Sequence, residues 1–337
     1  SRGRKLGFLA ASEKTMTRVP DFAPFALLLA ALPLSGCATE SGRAEAAAPA
    51  GEFKPLTFAE LLERPRERAD ARVPYGPHRL QFAELWLPQG RPGPHPVVIL
   101  IHGGCWRADL PGLELMDYMA VDLRRRGYAV WNIEYRRIGA DATGPQGGGY
   151  PATFQDTGAA VDALATVARE RNLDLSRVVV SGHSAGGHLA LWTAARGRIA
   201  ADSPLHVADP LPVRGVVALA AIADLEDYRE NGPDACGGPG TIDALTGAAE
   251  GRTGDVYADT SPPRMVALGA PQAVISGDVD HIVPPAFGER YAAKAAAAGD
   301  RAESIVLPRS GHFELIDARS PAWTRVLEEI EAMIGKP

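Results

Sequence analysis

Cysteine is scarce, with three in 337 residues. That excludes a disulfide-dense miniature scaffold, and no clustered His/Cys/Asp spacing of the kind that holds zinc is present. A basic excess is also missing. The formal net charge is −6, which argues against a nucleic-acid partner and gives no electrostatic pull on polyanionic substrates. Charges of both signs are mixed along the chain. The short run Arg124-Arg125-Arg126 reads as the solvated end of a helix, where cations oppose the macrodipole. No apolar run reaches the ~20 residues of a spanning helix, which argues against an integral membrane protein. No internal repeat is visible. What remains is a chain that is 46% hydrophobic, long enough for one large α/β domain or two small ones.

The N-terminal region reads as a targeting signal. Met16 is taken as the start, followed by Arg18 and an apolar stretch from Phe22 to Leu34 that is too short to span. Leu34-Ser35-Gly36-Cys37 looks like a bacterial lipobox, which implies cleavage before Cys37 and a diacylglycerol on its thiol. An ordinary secretory signal with an incidental Cys is the alternative. Residues 1–36 are then upstream and signal sequence. Residues 37–52 form a lipidated Cys and an Ala-, Ser- and Gly-rich tether, and 53–337 form the folded domain. Five basic and two acidic residues precede Cys37, so cleavage there leaves a more acidic chain. The implied location is the cell envelope, periplasmic side. Ala38 stands where inner-membrane lipoproteins often carry Asp, which points to the outer membrane in a Gram-negative source. Cys105 and Cys236 remain, an even number in an oxidising compartment. A Cys105–Cys236 disulfide and two unrelated small residues both stay open, because sequence does not give the Cα–Cα separation a bridge needs.

From Phe53 onward strand and helix patterns alternate. His78–Leu87 reads as an early strand, and the β-branched run Val97–Ile101, bounded by Pro96 and Gly103, as a buried parallel strand. Helical spacing over Leu113–Arg126 stops at Gly127. Tyr128–Ile133, Arg177–Ser181, Val213–Ala220, Ala273–Ser276 and Glu303–Leu307 read as strands. Thr153–Arg171, Ala185–Ala195, Phe287–Ala298 and Ala322–Ile334 read as helices. This order predicts βαβ units and a mostly parallel sheet covered on both faces. Residues 224–269, rich in Gly, Pro, Asp and Thr, break the rhythm and read as a cap or lid over a pocket.

The chemistry-bearing residues fall at strand ends. Gly182-His183-Ser184-Ala185-Gly186 matches G-x-S-x-G between a strand and a helix, the context of a nucleophile elbow. A serine hydroxyl is a poor nucleophile without a base, and this motif expects acid and then His downstream. Ser276-Gly277-Asp278-Val279-Asp280 supplies the acid. Asp280 is preferred because it leads into the turn at Val283-Pro284, with Asp278 as alternative. His312, in Ser310-Gly311-His312-Phe313 after the last strand, supplies the base. His183 and His188 read as structural neighbours. His102-Gly103-Gly104-Cys105-Trp106 follows a strand and matches the H-G-G motif that donates N–H groups to an oxyanion. Gly103 or Gly104 and the N–H of Ala185 are the assigned donors, with Cys105 N–H a third candidate. His102 reads as a brace for the loop. Cys105 and Trp106 are candidate pocket residues, with core packing an equal reading of Trp106. A cysteine hydrolase built on Cys105 is disfavoured, since no helix N-terminus clearly precedes it and His312 is matched to Ser184.

With these motifs, Tyr135-Arg136-Arg137, Gly149-Tyr150-Pro151 and Gly187-His188 in order, the chain resembles bacterial α/β-hydrolases of the esterase and arylformamidase-like group. These are grouped with feruloyl/acetyl-xylan esterase-like and prolyl-oligopeptidase-like hydrolases. The resemblance covers roughly residues 75 to 335 and implies the α/β-hydrolase fold, a Ser-His-Asp triad and no cofactor or metal. Where arylformamidases often carry an aromatic residue after H-G-G, this chain has Cys105. Three functions follow. The first is hydrolysis of small to medium acyl esters, with a small molecule as sole partner. The second is amide hydrolysis of the arylformamidase or prolyl-oligopeptidase kind. The third is an envelope lipoprotein that binds a ligand without turnover. Oligomeric state is not legible.

Overall fold

The structure is a computed structural model that describes residues 53–139 and 147–337. The signal, Cys37 and the tether lie outside the described residues. Among the described residues no helix is long and apolar enough to cross a membrane.

The chain enters through a strap, residues 53–70, carrying the short helix α1 (Phe58–Leu62). Thr57 and Glu60 close a reciprocal capping box at its start, satisfying N–H groups that a helix end leaves open. Then follow β1 (Ala71–Pro74), β2 (Phe82–Trp86), β3 (His95–Ile101), α2 (Asp117–Arg126), β4 (Ala129–Ile133) and α3 (Ala152–Val167). β5 (Leu173–His183), α4 (Ala185–Ala195), β6 (Gly215–Leu219), α5 (Leu225–Asn231) and α6 (Pro239–Thr246) come next. β7 (Gln272–Gly277), α7 (Pro285–Ala297), β8 (Ala302–Leu307) and α8 (Ala322–Ile334) complete the order.

The eight strands form one sheet in the order β1-β2-β4-β3-β5-β6-β7-β8. β1, β2 and β4 pair antiparallel, and every later pairing is parallel. Strand alternation splits the core between the two faces. Val97, Ile99 and Ile101 join one cluster with residues of α3, α4 and α7. Val98 and Leu100 join the other with residues of α2 and α8. α4 is apolar nearly all round and buried, as a helix under the centre of a sheet must be.

Three expectations change. The early strand is Phe82–Trp86, not His78–Leu87, because His78–Gln81 form a turn in which Gln81 N–H donates to His78 O and the Gln81 side chain accepts from His78 N–H. Its antiparallel partner β1 was not foreseen. The Arg124-Arg125-Arg126 end of α2 is not simply solvated. Arg124 and Arg125 both pair with Glu67 of the strap, and Arg124 lies over the Trp86 ring at 5.2 Å. Residues 224–269 are not one loop but carry α5 and α6, whose Leu225, Tyr228, Ile242 and Leu245 are buried in the core.

Candidate active site

Ser184 sits between β5 and α4 with φ 56° and ψ −120°, a region that a residue with a Cβ rarely adopts. Glycine makes the turn sterically open. A Cβ on Gly182 would stand 2.1 Å from Gly186 O, and one on Gly186 would stand 2.1 Å from Ile101 O. The turn is anchored by Ser184 N–H donating to Leu219 O at 2.8 Å. α4 starts immediately behind it, so its open N–H groups and positive dipole end face the same place.

The acid and base loops leave β7 and β8, which are neighbours in the sheet. Gly277 lets the loops touch, since a Cβ there would lie 2.2 Å from Ser310 O. His312 Nδ1–H donates to Asp280 Oδ2 at 2.7 Å. Asp280 Oδ1 accepts from Ile282 N–H at 2.8 Å and Val283 N–H at 2.9 Å. The carboxylate is therefore satisfied by main chain on one oxygen and aimed at the imidazole with the other. That hydrogen bond leaves Nε2 as the nitrogen with a free lone pair. Asp278, the alternative acid, accepts from Ser310 N–H at 3.1 Å and is exposed.

The H-G-G turn lies against the elbow. A Cβ on Gly103 would come within 3.1 Å of Ser184 Cβ, and Gly104 has φ +93°. Both positions need glycine, one for close approach and one for its left-handed backbone. His102 sits under this turn with both ring nitrogens on oxygen acceptors: Gly103 O at 2.8 Å and Glu134 Oε1 at 2.9 Å. Its ring stacks on Tyr135 at 4.3 Å, and Tyr135 OH donates to His102 O. Burial opposes charge on Glu134, but His102, Arg137 and the Tyr135 N–H outweigh it and hold the carboxyl below its ordinary range. Cys105 is bonded to Cys236, with Cα atoms 5.3 Å apart. This resolves the question that sequence left open and ties the H-G-G turn to the segment between α5 and α6.

Ser184, His312, Gly104 and Cys105 together line a cavity of about 120 Å³ closed by apolar side chains. Trp106 does not line it, which corrects its assignment as a pocket residue. It is fully buried, edge-on to His188 at 5.3 Å, because a positive φ at both Cys105 and Trp106 turns the chain inward. Residues 224–269 contribute Ala235 to the lining; most of the segment packs elsewhere. A larger crevice of about 750 Å³ lies by Gln272, Ala302 and Gly335. It is at the starts of β7 and β8, away from the strand C-termini where open α/β sheets place their sites.

Of three further residues here, His183 sits inside G-x-S-x-G and was read as a structural neighbour, and the other two had no motif to announce them. His183 is buried, and its Nε2–H donates to His312 O at 2.9 Å. Burial first, and then the neighbouring His312, push its pKa well below the usual histidine value, so it acts as a neutral donor bracing the base loop. Glu314 is buried and accepts from Gly311 N–H at 2.9 Å and from Leu56 N–H of the strap. Phe58, on the strap, lines the cavity. For Glu314 the only hint was a polar residue directly after Gly-His-Phe.

Solved structures share this fold. A truncated carbohydrate esterase from gut microbiota superimposes with a TM-score of 0.64 at 21% identity, over 80% of this chain and 98% of that one. Esterase B from Lactobacillus rhamnosis gives 0.68 at 20% identity, over 82% and 91%. A bacterial heroin esterase gives 0.57 at 24% identity, over 75% and 78%. A search of curated proteins found no match. The family model BD-FAE matches residues 83–294, a span that runs from β2 through the elbow and Asp280 into α7, so this chain belongs to the BD-FAE family of α/β-hydrolase-like esterases.

Proposed function

We propose that the protein is a serine esterase acting on carboxylic esters with small acyl groups, and that it needs no cofactor. One observation carries the reading: the strained Ser184 shares a small cavity with His312, whose other ring nitrogen is held by buried Asp280 at 2.7 Å. Ser184 Oγ attacks the ester carbonyl while His312 Nε2 takes its proton. Asp280 stabilises the imidazolium. The negative oxygen is received by N–H groups of Gly103 or Gly104 and of Ala185. Each such donor is worth about 2.7–4 kcal/mol of transition-state stabilisation. The alcohol leaves with the proton from His312, and water repeats the sequence in reverse roles to release the acid. A cavity of about 120 Å³ is near the size that holds one benzene, about 150 Å³, which favours short acyl chains.

The test is hydrolysis of p-nitrophenyl esters from C2 to C12 by residues 38–337. Wild type turns over the short esters, and Ser184→Ala loses roughly 10⁵–10⁶-fold in kcat. A fluorophosphonate probe labels wild type at Ser184. A protein that is neither labelled nor active on any ester is a binding module instead, and the reading fails.

We further propose export and lipid anchoring through Cys37, supported by Leu34-Ser35-Gly36-Cys37 and by a disulfide of the kind that persists in oxidising compartments. In a bacterial host, Cys37→Ser moves the protein from the membrane to the soluble fraction and abolishes incorporation of a fatty-acid label. An unchanged distribution rules the anchor out.

A further inference from the structure

The cavity lining joins Ser184 and His312 to apolar side chains, Phe58 on the strap among them. Its ring is edge-on to Phe313, with centroids 6.0 Å apart, and Phe313 follows the base His312 in sequence. Phe58 is 40% exposed, one of few large apolar side chains so open among the described residues, and the only one of them that lines this cavity. Its exposure does not come from a loose strap. Tyr118 OH donates to Leu61 O and Arg64 O, Arg64 pairs with Asp317 at 2.7 Å, and Leu61 is fully buried. Glu314 then sets the register, with one oxygen on the strap at Leu56 and the other on the base loop at Gly311. One buried carboxylate thus fixes how far the Phe58 wall stands from the base. An aromatic face held open at a cavity is unfavourable in water and is covered once an apolar group enters.

We propose that Phe58 is the specificity-determining wall of this site. It closes the outer end of the cavity and sets the longest apolar chain that an ester can place there. The proposal rests on the esterase reading above and adds to it the residue that limits the substrate.

The experiment measures kcat/KM for two series with wild type, Phe58→Ala and Phe58→Trp. One series is p-nitrophenyl acetate, butyrate and octanoate, which varies the acyl group. The other is ethyl, butyl and octyl acetate, which varies the alcohol. The readout is the ratio of the longest to the shortest ester within one preparation, so loss of folded protein does not alter it. Phe58→Ala raises that ratio roughly tenfold or more, and Phe58→Trp lowers it. The series that responds identifies the group that meets Phe58. Ratios unchanged in both series, with esters still hydrolysed and Ser184 still labelled by fluorophosphonate, overturn the proposal and leave the esterase reading standing. A wild type inactive on every ester overturns both.

Discussion

The two walls of the cavity are built by different means. Ser184 and His312, with Asp280 behind His312, stand on loops that follow β5, β7 and β8 directly, so the backbone ladder of a parallel sheet sets their mutual positions. Phe58, Leu110 and Ala235 come from excursions outside the sheet and line the same cavity. Side chains fasten those excursions: Glu314 and Tyr118 hold the strap, and the Cys105–Cys236 bond holds the segment between α5 and α6. The lesson is a division of labour. Chemistry rests on main-chain geometry that a single substitution rarely moves, while the shape of the site rests on a few replaceable fastenings.

Changes on the first wall should therefore remove rate. Asp280→Asn is expected to cost about 10³–10⁴-fold in kcat, through loss of the charge that orients and stabilises the imidazole. Asp278→Asn, which keeps an oxygen facing Ser310 N–H, should change kcat less than about threefold. Stopped assays on both variants decide this; equal losses would mean the two carboxylates share the role. Changes on the second wall should act on stability and shape. Replacing Cys105 and Cys236 together by Ala opens a loop spanning 131 positions and is expected to cost about 2–5 kcal/mol in denaturant unfolding. Ester hydrolysis at a temperature where the variant is folded should fall only several-fold. If it falls as far as in Asp280→Asn, the contrast is wrong, and the segment between α5 and α6 belongs to the catalytic frame.

The same contrast explains what could be read in advance. β3 and β5 hold the β-branched runs Val97–Ile101 and Val178–Val180, and their motifs follow within a few residues, so the fold and the meeting of Ser184 and His312 at one cavity were legible from local pattern. Asp280, preferred to Asp278 for its place in the turn, is the carboxylate set against His312. The strap was not legible, because its fastening joins Leu56 to Glu314 across 258 residues, and nothing near either residue encodes the other. The β1–β2 hairpin was missed although Gly76-Pro77 lies in its connection, because the turn that follows is closed by the Gln81 side chain accepting from His78 N–H, a contact that composition does not announce. Trp106 stayed open between pocket and core because its direction depends on two successive positive φ angles in non-glycine residues, a rare conformation that composition does not announce.

The backbone of Ser184 has a consequence for how this protein can change. Its φ of 56° with ψ of −120° withholds about 1–3 kcal/mol from the fold, and a residue without a Cβ would recover much of that. On the esterase reading proposed above, stability and activity favour opposite residues at this position. A laboratory selection for thermal tolerance that ignored turnover would favour glycine at 184, and its best survivor would be a sturdier protein with nothing left to attack an ester.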